Sequence, residues 1–406
     1  MEPIKSDRPY PSRTGRLPRH LPEVTPQWLT GLLQNRYPGA IVHNFEVVEV
    51  LSTHTTKLRL ALELNDVALA AGLPNRMCLK SNWSDGIKTG DICEREARFY
   101  HLMGADLDAP LPRSFYADWD GDGGGRGVVV MEDLTPSDGR FGNSADHLGV
   151  DGVARGIESL AALHGALWGS GRLDQQQWLP RSMDTPVDTE QVIRIYNYIA
   201  LNLEDPAYQA VLPSWAYETP EQLNHLLDEL SAYEQQQLGP LCLVHGDAHQ
   251  GNSYLRADGK RLWLDFQLVR KGTPWRDVSY FLLGALTVEE RRAHDSEFIK
   301  LYREKLISTG AQGVPDQDAA WAQFRRWPAY GMQCWLGNVD RWGQQTGAEM
   351  VKRFYAAGDD YDTVKLLTAG KTPRRTVILG QGASALPPDL QQLRDSRTPS
   401  GPDGTK

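Results

Sequence analysis

The chain has 406 residues, 40% of them hydrophobic and 23% charged, enough for one large two-lobed domain or two modest ones with a buried core. A net charge of −9, spread along the chain rather than blocked, argues against a nucleic-acid-binding surface and for a soluble, cytoplasmic protein. The four cysteines, Cys78, Cys93, Cys242 and Cys334, form no C-x-x-C pair, so reduced thiols are expected, and no apolar run approaches the roughly 18 residues of a membrane span.

Residues 1–24 are basic and proline-rich with no apolar segment behind them, and read as a flexible arm rather than a secretory signal. Thr25-Pro26 then opens a helix carrying Trp28, Leu29, Leu32 and Leu33, which stops near Tyr37-Pro38-Gly39. Two strands are expected between Phe45 and Leu64. The second alternates, with Leu58, Leu60, Leu62 and Leu64 on one side and Lys57, Arg59, Ala61 and Glu63 on the other. The turn between them, Leu51 to Thr56, contains no glycine. Its amides and hydroxyls can donate to a phosphate, but the close approach that glycine permits is missing, and an ordinary hairpin is the alternative.

Met77 to Lys80 reads as an apolar strand ending on a lysine, and a helix is expected from Asp91 to Met103, opened by a capping box of Asp91 and Glu94. On that helix Ile92, Glu96, Phe99 and Met103 fall within a narrow arc, which puts Glu96 in the apolar stripe and Glu94 outside it. A carboxylate on a buried face needs a cation, and Lys80 is the natural partner. A purely structural salt bridge or a snorkelling lysine is the alternative. Gly121 to Gly127 is glycine-rich but leads into a strand, Val128 to Leu134, rather than a helix, so it reads as a hairpin tip instead of a phosphate cradle. Met131 to Leu134 is expected to be the hinge between lobes.

Beyond the hinge, residues 135–143 are loop-like, and Val150 to Trp168 carries a helical apolar face of Val153, Ile157, Leu160, Leu163 and Leu167, with His164 as a core histidine. Further helices are expected over 175–240. Then Leu243-Val-His-Gly-Asp247 is followed five residues later by Asn252, the H-x-D-x-x-x-x-N spacing of a phosphotransfer loop. In such a loop the acid orients or receives the acceptor proton and the amide holds a metal. Asp258-Gly259 between two strand-like runs predicts a hairpin. A two-residue loop there sets Ala257 opposite Lys260 and Asn252 opposite Asp265, about 4.5–5.5 Å apart at Cα, close enough to share one Mg²⁺. Two alternatives stand beside this: turn residues without chemistry, and an H-x-D-x-H metal cluster of His245, Asp247 and His249. Trp275-Arg-Asp277 begins another helix. Trp321, Trp327, Trp335 and Trp342, with Tyr330, Met332 and Asp340 among them, lie in a helical stretch that is mostly core. A disordered tail is expected from 371.

His245-Gly-Asp-Ala-His-Gln-Gly-Asn252, Asp265-Phe-Gln267 and Gly272-Thr-Pro-Trp-Arg-Asp277 together resemble the aminoglycoside phosphotransferase and choline kinase-like superfamily, and most of all its ecdysteroid kinase-like subgroup. The resemblance covers roughly residues 45–345, densely at 241–283. It implies an α+β, two-lobed protein-kinase-like fold: a small antiparallel-sheet N-lobe with the hinge (25–134) and a larger, mainly helical C-lobe (135–370), between the arm (1–24) and the tail (371–406). It implies Asp247 as the catalytic acid/base, Asn252 and Asp265 on Mg²⁺, Lys80 on the phosphates with Glu96 holding it, and Asp277 supporting the catalytic loop. It also places Ser52 and Thr53 over the phosphates and backbone groups near Glu132, Asp133 and Leu134 on the nucleobase. The activity implied is ATP- and Mg²⁺-dependent phosphotransfer to a hydroxyl of a small molecule, for which the aromatic content favours a ringed or apolar acceptor. No nucleic acid, membrane span or obligate protein partner is expected. The glycine-free turn keeps open a nucleotide-binding pseudokinase or scaffold.

Overall fold

A computed structural model describes residues 16–52, 55–83, 90–184, 189–218, 220–337 and 343–369, together with Gln392. The expected tail from 371, Gln392 apart, and residues 1–15 of the expected arm lie outside the described residues, as do Thr53, Asp340 and Trp342. Residues 16–24 are packed rather than free: Leu17 and Val24 are buried in the small lobe, and the Leu17 N–H donates to Asp120 Oδ1 at 2.7 Å.

The small lobe holds α1 (Pro26–Gln34), β1 (Val42–Ser52), β2 (Thr56–Leu64), α2 (Asp66–Ala70), β3 (Arg76–Ser81), α3 (Ile92–Leu102), β4 (Ser114–Trp119) and β5 (Gly127–Glu132). Thr25 caps α1 through its side chain and Pro26 takes the first helical position, where its missing N–H costs nothing. The strands form one antiparallel sheet in the order β1-β2-β3-β5-β4. The alternation of β2 decides its faces. Leu58, Leu60 and Leu62 are buried with Met77, Leu79, Val128 and Val130 against Leu29, Leu32 and Leu33 of α1, while Lys57 and Arg59 occupy the opposite face.

On that opposite face α3 packs against β4 and β5, with Ala97, Phe99 and Tyr100 joining Ala117, Trp119 and Val129. The same cluster continues into the large lobe through Phe266, whose ring stacks on Phe99 at 4.5 Å. One core therefore spans both lobes. The expected capping box does not form. Asp91 is not extended (φ −94°, ψ 8°) and its carboxylate pairs with Arg95, while Glu94 pairs with Arg98, each at i+4. The Glu94 N–H instead donates to the Gly125 carbonyl at 3.1 Å. The glycine-rich 121–127 segment is thus a β4–β5 tip seated on the start of α3, and a Cβ at Gly127 would lie 2.3 Å from the Cys93 carbonyl.

The large lobe contains β6 (Arg140–Phe141), α4 (Gly149–Gly165), α5 (Gly171–Asp174), α6 (Thr189–Glu204), α7 (Pro206–Gln209), α8 (Ser214–Glu218) and α9 (Pro220–Gln235). It continues with β7 (Cys242–Val244), β8 (Ser253–Leu255), β9 (Arg261–Trp263), β10 (Arg270–Gly272), α10 (Trp275–Ala285), α11 (Val288–Ser308), α12 (Gln317–Phe324), α13 (Pro328–Leu336), α14 (Gln344–Asp360) and α15 (Thr363–Thr368). The five expected apolar residues of the first long helix are buried, and α4 packs on α10 and α11. Trp327 and Trp335 are core, and Pro328 divides the tryptophan-rich stretch into α12 and α13. The antiparallel pair β7–β10 and the sheet β6-β8-β9 lie among these helices. No described helix is long and apolar enough to cross a membrane, and all four cysteines are free thiols.

Gly127→Ala should destabilise the protein by about 3 kcal/mol or more in urea unfolding, the upper end of overpacking, because the new methyl meets backbone at the start of α3. Gly123→Ala, at the open tip of the same segment with φ +80°, should cost only the ~1–2 kcal/mol of a left-handed alanine. Equal losses would contradict this account of the segment.

Candidate active site

The hairpin that carries the motif differs from the expected one by one residue. Ser253 pairs with Trp263, Tyr254 with Leu262 and Leu255 with Arg261, and the Gly259 N–H donates to the Arg256 carbonyl. The loop therefore has three residues, with Gly259 in the left-handed region (φ +82°) forming a bulge after a tight turn. Asn252 consequently faces Leu264, whose N–H it accepts at 2.8 Å, and not Asp265.

Asp265 is the next residue and one of two described non-glycine residues with positive φ (φ 68°, ψ 63°). That twist delivers its carboxylate to Lys80, with Oδ1 2.7 Å from Nζ. Lys80 also meets Glu96 Oε2 at 2.6 Å, as expected, and Glu96 Oε1 accepts the Phe266 N–H at 3.0 Å. Lys80 and Glu96 are 3% and 2% exposed. Burial would push the Lys80 ammonium down, but the Asp265 and Glu96 carboxylates outweigh it and hold it above its ordinary value. Burial would raise the Asp265 carboxyl, and Lys80 with Lys57 holds it far below the usual range. Lys57, absent from the expected set, lies 3.7 Å from Asp265 Oδ2. The β2–β3 register, which sets Lys57 directly opposite Lys80, could have found it.

Asp247 sits on the loop after β7. Its Oδ2 accepts from Asn252 Nδ2 at 2.9 Å, and its own N–H donates to His245 Nδ1 at 3.2 Å. Asp247 Oδ1 has no partner among the described residues. Because Asn252 donates through Nδ2, its Oδ1 is left as the acceptor end. Asn252 thus meets Asp247, and no hydrogen bond joins it to Asp265 among the described residues. The H-x-D-x-H cluster fails on bonding grounds. His245 accepts at Nδ1 and donates from Nε2 to the Leu264 carbonyl at 2.7 Å, so neither nitrogen is left for a metal. Burial holds the His249 ring below its ordinary pKa, and its Nδ1 accepts the Gly251 N–H.

The loop is pinned from below by Asp277, at the first turn of α10. Its oxygens accept the His245 N–H at 2.6 Å and the Gly246 N–H at 2.9 Å, and His164 Nε2 lies 3.2 Å away, with its Nδ1 on the Tyr302 hydroxyl at 2.8 Å. Burial alone would raise the Asp277 carboxyl, and the His164 hydrogen bond brings it below its ordinary value. Arg276 adds a second clamp, donating to the Gly246 carbonyl at 2.8 Å and to the Tyr330 hydroxyl. On the other side of the loop, His249 lies against Tyr280 and Trp335, at 6.1 and 6.4 Å between ring centroids.

At the hinge, Glu132 Oε1 pairs with Arg256 at 2.8 Å, Asp133 with Arg59 at 3.1 Å, and the Leu134 carbonyl accepts the Tyr254 hydroxyl at 3.0 Å and the Ser137 N–H at 3.2 Å. Ser52 ends β1 paired with Thr56, and Thr53 lies outside the described residues.

Asp277→Ala would strand two buried backbone donors at ~1–3 kcal/mol each, so a loss of about 3 kcal/mol or more in unfolding free energy is expected. A stability change under about 1 kcal/mol would mean that Asp277 does not anchor the loop.

A model of the ecdysteroid kinase-like family matches residues 87–312. No curated protein matches the chain significantly. Similar solved structures include a candidate aminoglycoside phosphotransferase from Ralstonia eutropha, 15% identical over 83% of this chain and 97% of that one (TM-score 0.47). An ethanolamine kinase from Plasmodium vivax is 11% identical over 79% and 83% (TM-score 0.45). A spectinomycin phosphotransferase crystallised with ADP and spectinomycin is 13% identical over 85% and 99% (TM-score 0.45).

Proposed function

The chain belongs to the ecdysteroid kinase-like family and has its two-lobed, protein-kinase-like α+β fold, and from that premise we propose that it is an ATP- and Mg²⁺-dependent phosphotransferase acting on a hydroxyl of a small molecule. The observation that carries the reading is Lys80, a buried cation held between Glu96 at 2.6 Å and Asp265 at 2.7 Å. A purely structural pair needs one carboxylate, and a second one that carries a strained backbone is the arrangement expected of a phosphate and metal site.

In this reading Asp247 accepts the proton of the acceptor hydroxyl as its oxygen bonds to the γ-phosphorus and ADP leaves, and Asp247 Oδ1 is the oxygen available for it. Lys80 contacts the phosphates and Glu96 fixes its reach. Asn252 Oδ1 and Asp265 are hard oxygen donors of the kind Mg²⁺ takes alongside phosphate oxygens, and would hold the ion, whose charge would offset that building on the phosphates. The Leu134 carbonyl is already committed, so base contacts from the hinge fall to the Glu132 carbonyl and the Leu134 N–H. In this reading Ser52, at the end of β1, and Thr53 would cover the phosphates. The Tyr280 and Trp335 rings beside His249 are buried core, so the ringed or apolar hydroxylated acceptor rests on the aromatic content of this part of the sequence.

A second reading, a nucleotide-binding scaffold without turnover, draws on the short glycine-free turn closed by Ser52 and Thr56. Coupled ADP release across a panel of hydroxylated compounds separates the two, since only the enzyme responds to an acceptor. Asp247→Asn should lower turnover by at least about a hundredfold, the usual scale of general-base loss, with Mg-ATP affinity nearly intact. Undiminished turnover would remove Asp247 from the chemistry. Asp265→Ala should weaken Mg-ATP binding in calorimetry, and an unchanged affinity would take Asp265 out of the metal site.

A further inference from the structure

We propose that Lys57 is a second phosphate-binding cation, supplying beside Asp265 the positive charge that the 51–56 turn does not supply through glycine amides. The inference rests on the kinase reading above and adds to it a residue that reading did not contain.

Position comes first. Lys57 is the second residue of β2, opposite Leu51 on β1 and opposite Lys80 on β3. Residues directly opposed in an antiparallel pair share a face, so Lys57 and Lys80 stand side by side on the sheet face away from the α1 core. Both ammonium groups converge on one carboxylate. Lys80 takes Asp265 Oδ1 at 2.7 Å and Lys57 stands 3.7 Å from Oδ2.

The two lysines differ in what holds them. The Lys80 side chain is 3% exposed and has a second acid in Glu96, whereas the Lys57 side chain is 32% exposed and its contact with Asp265 is long. A lysine that reaches the acid from the solvent side on a flexible stem can exchange it for a phosphate oxygen at little cost. The turn gives the reason such a cation is needed. Ser52 pairs with Thr56, so three residues span the tip, none of them glycine. A connection without glycine lacks the close backbone approach that lets successive amides reach a phosphate.

Calorimetric titration of wild type, Lys57→Met and Lys57→Arg with Mg-ATP and with adenosine tests this. The methionine variant should lose about tenfold in Mg-ATP affinity, the scale of one charge-assisted hydrogen bond, while adenosine affinity stays the same and the arginine variant keeps most of the wild-type affinity. A lysine that merely neutralises Asp265 gives the opposite sign, because removing it frees the acid for the metal. Mg-ATP affinity equal to or above wild type in Lys57→Met therefore overturns the proposal. Should that variant unfold at a lower temperature than wild type, Lys57→Gln replaces it with the same expectations. Wild type that binds no Mg-ATP would overturn the kinase reading itself, whereas wild type that binds it beside an unaltered Lys57→Met overturns only the role of Lys57.

Discussion

The architecture depends on one buried ammonium group. Lys80 comes from β3, Glu96 from α3 and Asp265 from the segment after the β8–β9 hairpin, so a single charged knot ties together a strand, a helix and the opposite lobe. A cation this deeply desolvated is tolerable only with a carboxylate in direct contact, and removing Lys80 would in turn leave the 2% exposed Glu96 without its cation. The apolar packing follows the same path, since Phe266 stacks on Phe99 one turn of α3 beyond Glu96 and gives its N–H to the Glu96 carboxylate. Electrostatics and packing thus agree on where α3 must lie.

A second anchor, independent of the first, fixes the loop that carries Asp247. Asp277 and Arg276 are neighbours at the start of α10, and they grip backbone groups of His245 and Gly246 from opposite chemical sides, one accepting amide protons and the other donating to a carbonyl. The loop has little regular structure of its own, so its shape is borrowed from the helix beneath it. His164, a core histidine on a different helix, completes the support by holding Asp277.

Much of this was legible in the sequence, and the parts that were not share a cause. The periodicity of β2, the cap on α1, the apolar face of α4 and the placement of Glu96 inside an apolar stripe are local properties, and local patterns carry them. The pairing of Lys80 with Glu96 followed from the cost of an unpaired buried acid. Hairpin register was missed because Asp-Gly serves both a two-residue loop and a three-residue loop with a left-handed glycine, and one residue decides which acid faces which amide. The expected capping box at Asp91 does not form because arginines four residues on take both acids. Lys57 and Tyr254 act across long sequence separations, which no local pattern reports.

If the chain binds a purine nucleotide at its hinge, as proposed, the Leu134 carbonyl bears on base selectivity. Its two lone pairs are both spent, on a phenol and on a backbone amide. Adenine presents an exocyclic amino group where guanine presents an oxo group, and an acceptor on the connector between the lobes would ordinarily welcome the first and refuse the second. With this oxygen occupied, that discrimination would, on the proposed reading, come from the neighbouring peptide groups, and a phenylalanine in place of Tyr254 would return one lone pair to the choice between the two purines.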